Sequence, residues 1–520
     1  MTDVGRSKDL NLLTVRAPHL STRELRKKFG EFTAVDDVTL SFEPGLIHAV
    51  LGENGAGKST LMKLLFGLHT PSSGEILINQ KPVVWRDTMS AIRAGLGMVQ
   101  QHFTLVDSLS VIDNIMMGEE TCSFFGTLRR GEAIARLNQL LPSDRLSLPW
   151  LEKVETLGVG QKQRVEILKL LFREAQILFL DEPTAVLTPA EINDFFDILR
   201  LLKAAGKTVV LITHKINEVL ELCDTYSILR QGKLVAQGQV AGATTDTIVE
   251  AMIGRKLPEF VFERTAYPAQ SLLLARRLSE KSDAADAVHE LDLEVQAGEI
   301  HGIAGVEGAG QKAIVDMILG LKPHLGELSV LGDSPRLGGS RQVRDRGLGL
   351  IPEDRLEEAL WLDESCSTNM MIGLEDSFTS CGIIQHGLIR EKTTAWAQEF
   401  DVRTASFEAP VRSLSGGNQQ KVVFSREVIG RKPKLLICYQ PTRGVDLGAI
   451  DLIHRKILEL RNQGLGVLLI SSELDELLKL SDRITVLLKG RASLELHRDA
   501  FDKMRIGSAM TGAVDAGETR

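Results

Sequence analysis

The sequence predicts an α/β protein built as two tandem copies of one mostly parallel-sheet domain. Three observations carry this. Apolar runs at residues 46–51, 177–180 and 208–212 are short, continuous and rich in Val, Ile and Leu, as strands buried on both faces must be. The first run leads through a glycine-rich loop straight into a helical stretch, Thr60-Leu61-Met62-Lys63-Leu64-Leu65-Phe66, that stops at Gly67. The same strand–loop–helix pattern returns in the second half of the chain at a nearly constant spacing.

The loop reads Gly52-Glu53-Asn54-Gly55-Ala56-Gly57-Lys58-Ser59-Thr60 and fits G-x-x-x-x-G-K-[ST] at every fixed position. Gly52, Gly55 and Gly57 let backbone close on phosphates without Cβ clashes. The loop N–H groups and the helix N-terminus give positive potential for a polyanion. Lys58 is placed to bridge outer phosphates, and the Ser59 hydroxyl to ligate Mg²⁺. A merely structural Gly-rich turn has no need for Lys-Ser after its last glycine.

The 520 residues exceed one domain. A prior of about 150 residues per domain suggests three, but the repeat argues for two larger ones. A net charge of −8 gives no global basic field for nucleic acid or anionic lipid, and no nucleic-acid partner is expected. Cys122, Cys223, Cys366, Cys381 and Cys438 show no C-x-x-C pairing and read as reduced thiols, mostly core fillers, in a cytosolic protein. The N-terminus lacks an apolar signal segment. No stretch approaches the roughly 18 apolar residues of a membrane span, so any spanning falls to other subunits.

In chain order, residues 1–20 are polar and read as a frayed N-terminus, and 21–45 as strands leading to the loop. Phe29 lies where an aromatic can stack on adenine, or it is a core phenylalanine. Residues 74–79 read as a strand. Residues 95–103 read as another, ending in Gln100 and Gln101, one of which could ligate Mg²⁺ and sense a γ-phosphate. Residues 107–150 read as helical with breaks at Gly118, Gly126 and Pro142. Leu157-Gly158-Val159-Gly160-Gln161 precedes an amphipathic helix with Val165, Leu168, Leu171 and Phe172 inward. The run 177–183 ends in Asp181, suited to hold Mg²⁺ through water, and Glu182, suited to polarise an attacking water. A helix from Pro189 carries Ile192, Phe195, Phe196, Leu199 and Leu202 on one core face. His214 ends the strand 208–213. A lone histidine is usually structural, but this edge of a parallel sheet is where ligands collect, which favours a γ-phosphate sensor.

Gly305 matches Gly52 at offset 253, Leu414 matches Leu157 at 257, and Tyr439 and Ser472 match Asp181 and His214 at 258. The copies differ where chemistry would sit. Gln311 stands for Lys58, Lys312 for Ser59, Tyr439 for Asp181, Gln440 for Glu182 and Ser472 for His214. Conversely Leu414, Ser415, Gly416, Gly417 and Asn418 form an intact Leu-Ser-Gly-Gly element that Gly158 and Val159 spoil in the first half.

These elements together resemble the ATP-binding cassette (ABC) transporter ATPases, with Walker A, glutamine loop, signature, Walker B and switch histidine present twice over roughly residues 21–510. The resemblance implies two P-loop NTPase domains, at 21–257 and 271–510, each with a mostly parallel sheet core, an antiparallel β subdomain and a helical subdomain. They are joined by a linker at 258–270 and followed by a tail at 511–520. It implies ATP and Mg²⁺ as ligands, and cassettes that dimerise head to tail, here intramolecularly. One composite site then holds Lys58, Ser59, Gln101, Asp181, Glu182 and His214, closed by Leu414 to Asn418 with Ser415, Gly416 and Gly417 at its centre. The other holds only replaced residues, closed by Gly158 and Val159. Every intact element falls on one site.

A tandem cassette without membrane spans resembles the importer ATPases for simple sugars and nucleosides. The run Gly-Met-Val-x-Gln-His-Phe-x-Leu-Val at 97–106 looks like the nucleoside branch. That branch usually has histidine before the loop glutamine. Gln100 stands there, so Gln101 is assigned to the loop. The family implies two membrane permease subunits, an extracytoplasmic solute-binding protein and a peripheral place on the cytoplasmic face of the inner membrane. A ribose- or galactose-type sugar importer is the alternative. Soluble tandem cassettes acting on ribosomes resemble the chain less, having two competent sites and a long charged linker.

Overall fold

The computed structural model describes residues 17–100, 103–121, 128–140, 148–184, 187, 189–256, 262, 265, 267–282, 287–306, 308–404 and 406–512. The chain divides into two compact units, Met1–Leu257 and Pro258–Arg520.

The first unit holds β1 (Leu20–Phe29), β2 (Phe32–Phe42), β3 (Ile47–Leu51), β4 (Ser73–Ile78), β5 (Lys81–Val83), β6 (Leu96–Val99), β7 (Ile177–Asp181), β8 (Thr208–Thr213), β9 (Thr225–Arg230) and β10 (Lys233–Gln239). One sheet runs β2-β1-β4-β5 and is antiparallel. In β2 Val38, Leu40 and Phe42 are buried while Thr39 and Ser41 face out, the period-two alternation of a sheet with one wet face. The other sheet runs β10-β9-β3-β8-β7-β6, parallel from β9 to β6 with β10 antiparallel at the edge. β3 and β8 are buried throughout, which is why their runs are unbroken rather than alternating. Parallel register brings Leu51 beside Thr213 and Asp181 beside Ile212, so the chain segments leaving these strands gather at one edge.

Several sequence expectations shift. Ala17 and Leu20, read as part of a frayed N-terminus of residues 1–20, are buried, because their apolar side chains complete the core beneath β1 and β2. Of the strand read over 95–103, the described residues form only β6; Gly95, at φ +85°, makes the turn before it. Of residues 107–150, the described part is helical only at Val111–Met116 and Arg130–Leu140. Ser110 caps the first, accepting from the Asp113 N–H at 3.2 Å, and Gly118 follows at φ +82°. Gly126 and Pro142 lie outside the described residues. The helix Val159–Phe172 buries Val165, Leu168, Leu171 and Phe172, and Pro189–Ala204 buries Phe195, Phe196, Leu199 and Leu202.

The second unit holds β11 (Ser271–Glu280), β12 (Leu291–Gln296), β13 (Ile300–Ala304), β14 (His324–Val330), β15 (Leu348–Ile351), β16 (Thr379–Ser380), β17 (Ile383–Ile384), β18 (Leu435–Tyr439), β19 (Gly466–Ser471), β20 (Arg483–Leu488) and β21 (Arg491–His497). Its main sheet runs β15-β18-β19-β13-β20-β21, the order of the first unit strand for strand, and β12-β11-β14 forms the antiparallel sheet. The buried thiols Cys366 and Cys438 fill this core and Cys223 that of the first unit; Cys381 is exposed, and Cys122 lies outside the described residues.

One residue separates the copies within a helix. Gly416–Phe424 continues into a π-helical turn, Ser425–Gly430, where the first unit has the single α-helix Val159–Phe172. An extra residue inside an α-helix makes such a turn, and it accounts for the step in offset from 257 to 258. At the turn Glu427, fully buried, takes hydrogen bonds from Arg344 (2.5 Å), Arg426 (2.9 Å) and Arg431 (3.2 Å). Burial alone would raise its pKa, but the fields of the three guanidiniums win and hold it below the ordinary value. Glu427→Ala strands these cations and costs about 3–5 kcal/mol, read as a lower urea midpoint for this unit. The sign follows from the depressed pKa. The carboxylate's contribution is full above the ordinary value of 4.5 and is lost as pH falls below that through the folded value.

Candidate active site

The loop between β3 and the helix Lys58–Leu65 is shaped by contacts that exclude a side chain. A Cβ on Gly52 would lie 2.4 Å from the Leu229 carbonyl oxygen, and one on Gly57 2.4 Å from that of Ala34. Gly57 also sits at φ +100° as the helix N-cap. The loop is thereby held close against β9 and β2.

Lys58 is buried, and its ammonium donates to the carbonyls of Gly52 (2.8 Å) and Glu53 (3.1 Å). Burial pushes its pKa down, against the opposing fields of Glu182, Asp181 and Glu53. Ser59 is exposed and Thr60 half-buried on the first helical turn. Asp181 ends β7, where burial and then the neighbouring Glu182 raise its carboxyl while Lys58 and Lys63 oppose. Glu182 follows in the left-handed region at φ 45°, its N–H donating to the Ile212 carbonyl at 2.9 Å. A non-glycine held there is strained, a feature that clusters at active sites. Its Oε1 lies 2.9 Å from His214 Nδ1. Burial would raise the Glu182 pKa, but the hydrogen bond and charge of His214, with Lys58 and Lys215, bring it below the ordinary value. Glu182 is therefore a carboxylate at neutral pH.

The structure thus brings Lys58, Asp181, Glu182 and His214 together at one sheet edge. Gln101 lies outside the described residues. Phe29 is 45% exposed at the end of β1, its ring edge-on to His69 at 5.5 Å, so it is not a core phenylalanine. Mg²⁺ takes oxygen ligands, one or two carboxylates with waters and substrate phosphates, in place of an all-protein cage. The set here fits: an exposed Ser59 hydroxyl on the first helical turn and the Asp181 carboxylate at the end of β7, both oxygen donors.

In the second unit the same backbone carries other chemistry. Gln311, buried, donates from Nε2 to the Val306 carbonyl at 2.9 Å, as Lys58 does to Glu53. Lys312 pairs with Glu358 at 2.9 Å. Tyr439 is buried at the end of β18. Gln440 keeps φ 51° and the N–H bond to Ile470, 2.8 Å, and its Oε1 accepts from the Ser472 N–H and hydroxyl, each at 3.2 Å. The shape of the Glu182–His214 pair survives in neutral groups without a base.

The Leu-Ser-Gly-Gly element opens the helix Gly416–Phe424. Ser415 is its exposed N-cap, with the Asn418 side chain donating to its hydroxyl at 3.1 Å. A Cβ on Gly416 would meet the Gly444 carbonyl oxygen at 2.6 Å, and one on Gly417 the Asp446 carboxylate at 2.5 Å. Leu414 is half-buried against the core. In the first unit Val159 stands exposed in place of Gly416. Sequence reasoning missed Glu353, Arg355 and Arg443, which pack around this element. Aligning β6 with β15 at offset 252 places Glu353 opposite Gln101 and is the signal that would have found the first of them.

A phosphate loop, a strand-end acid pair and a histidine on a parallel sheet define a nucleoside triphosphatase of the cassette type. The chain belongs to the ABC transporter family, whose sequence profile matches residues 35–185 and 288–443. It is an ATP hydrolase of that family. It is similar to the nucleoside import ATP-binding protein NupA of Lactococcus lactis subsp. cremoris, 38% identical over 94% of this chain and 97% of that protein. The guanosine import ATP-binding protein NupO of Bacillus subtilis is 39% identical over 94% and 96%. The glucose import ATP-binding protein TsgD13 of Haloferax volcanii is 38% identical over 97% and 98%. Among solved structures, archaeal ribosome recycling factor aABCE1, in complex with the stalk protein aP1, matches with TM-score 0.60 at 18% identity over 91% and 90%, a likeness of fold alone. Among the described residues no helix is long and apolar enough to cross a membrane.

Proposed function

We propose that the chain is the energising subunit of an importer for nucleosides. It works peripherally at the cytoplasmic face of the inner membrane, with two permease subunits and, through them, an extracytoplasmic solute-binding protein. The observation that carries the reading is the sorting of the chemistry. Lys58, Asp181, Glu182 and His214 gather in one unit, their counterparts are neutralised in the other, and only the other keeps Ser415, Gly416 and Gly417. A single composite site, made from the first unit's loop and the second unit's signature in a head-to-tail pairing of the cassettes, accounts for that sorting.

In this site Gly52 to Thr60 cradle the phosphates of ATP and Lys58 neutralises charge on the outer ones. Ser59, Asp181 through water, and Gln101 would hold Mg²⁺, which when bound supplies charge to the phosphate oxygens. Glu182 accepts the proton of the attacking water, and His214, already bonded to Glu182, reports on the γ-phosphate. Phe29, exposed at the end of β1, stacks on the adenine.

The nucleoside assignment is supported by residues 97–106 and by the relatives NupA and NupO. The glucose import relative, at equal identity, supports a sugar importer as the second reading. Uptake of labelled nucleosides by a strain deleted for the gene decides between them. It should fall to background and return on complementation; intact nucleoside uptake with lost sugar uptake reverses the ranking.

A further inference from the structure

The signature element of the second unit rests on the segment after β18, residues 441–446, since Gly416 and Gly417 leave room only for the Gly444 carbonyl and the Asp446 carboxylate. What holds that segment is a ring of charged groups. Arg355, half-buried at the start of the short helix Arg355–Glu358, donates from Nη1 to the Arg443 carbonyl at 2.7 Å. Its Nη2 reaches the Gly444 carbonyl at 3.4 Å and its Nε the Gln419 side chain, one turn into the signature helix, at 3.5 Å. Arg443 closes the ring by donating from Nη1 to Glu353 Oε1 at 2.5 Å. A Cβ on Gly416 would stand 2.7 Å from Arg355 Nη2, so the arginine packs directly against the glycine.

The first unit is an internal control. At offset 252 Glu353 and Arg355 correspond to Gln101 and Phe103, and at offset 258 Arg443 corresponds to Ala185. None of the three charges exists in the copy whose signature is spoiled. The ring accompanies the signature, and it occupies the positions that nucleotide chemistry has vacated in the second unit: Glu353 stands opposite the loop glutamine, and Arg443 is three residues past Gln440.

We propose that Arg355 is a positioning residue for Ser415. It fixes the backbone of residues 443 and 444, on which the signature glycines pack, and so holds the serine hydroxyl where the transition state needs it. This rests on the reading above, in which Ser415 serves the first unit's nucleotide. A fixed guanidinium fork does this better than an ammonium, because it donates to two carbonyls and a side-chain amide in one plane.

The test is steady-state ATPase of the full-length chain. Arg355→Met should lower kcat roughly 10- to 10²-fold, the cost of misplacing a transition-state group by an ångström or so, with the KM for ATP within about twofold. Arg355→Lys, keeping one donor, should fall between Met and the parent. Glu353→Gln, which weakens the ring at an isosteric site, should lower kcat several-fold at unchanged melting temperature and keeps the test open if the Met variant fails to fold. Ser415→Arg is measured alongside. If Ser415→Arg is inactive while Arg355→Met and Glu353→Gln keep the parent kcat, the positioning role is wrong and the composite site stands. If Ser415→Arg is fully active, the composite site is wrong and the role of Arg355 falls with it. A raised KM with unchanged kcat in Arg355→Met places the residue in ATP binding and also overturns the proposal.

Discussion

Glu182→Gln should lower ATP turnover roughly 10²–10⁴-fold, the usual contribution of a positioned base, and leave ATP bound. The substitution is isosteric, so the strained backbone at φ 45° and the bond from the Glu182 N–H to Ile212 are unaffected. Lys58, the proposed phosphate ligand, keeps its loop contacts. Only the proton acceptor is lost. The second unit already holds this substitution, with Gln440 in the same backbone conformation and its amide oxygen taken up by Ser472. Phosphate release and retention of radiolabelled ATP on a filter measure the two halves of the expectation. A variant that turns over at more than a tenth of the parent rate has its base elsewhere.

The parts of this fold that were legible in the sequence are those whose burial is continuous. Residues 47–51 and 208–213 read as strands because parallel strands covered on both faces tolerate only apolar side chains. Gly52 and Gly57 of the loop were legible because close approach to Leu229 and Ala34 leaves no alternative residue. Glu182 and His214 were legible as strand-end residues, but their hydrogen bond was not, since it joins β7 to β8 across 32 positions. The Arg355 ring was invisible for a related reason. Its partners are mostly backbone carbonyls, which any residue supplies, so no spacing marks it. The π-turn at Ser425–Gly430 left a faint trace, the one-residue change of offset between the copies, whose meaning needed the helix itself. The strand assigned to 95–103 was overlong: among the described residues the strand ends at Val99, just before the polar run Gln100-Gln101-His102.

Ser415→Arg should stop hydrolysis, while its mirror Gly158→Arg and the change Gln440→Ala each leave at least about a tenth of the activity, the residue expected when a site already without a base is struck. Hydrolysis needs a lysine, a metal, a base and a signature serine converging on one γ-phosphate. In the proposed site Lys58 is the lysine, Ser59 and Asp181 would hold the metal and Glu182 with His214 is the base, all from one unit, and Ser415 is the intact serine of the other. In the composite site proposed above, arginine at 415 would set bulk and charge against the phosphate. It also removes an N-cap worth about 1 kcal/mol, so Ser415→Ala is the control, sharing the lost cap without the bulk. Gly158→Arg is sterically mild within its own unit. Gly158 has φ −66°, and a Cβ there meets nothing nearer than the Gln161 amide oxygen at 3.9 Å. Any loss it causes therefore reports on what the residue faces and not on a damaged helix. One variant of the arginine pair lies in each unit, so the pair separates composite sites from independent domains. Independent domains predict that Ser415→Arg, made far from Lys58 in the chain, is harmless to the first unit's chemistry. Full ATPase activity in Ser415→Arg together with none in Gly158→Arg would show that the head-to-tail assignment is wrong.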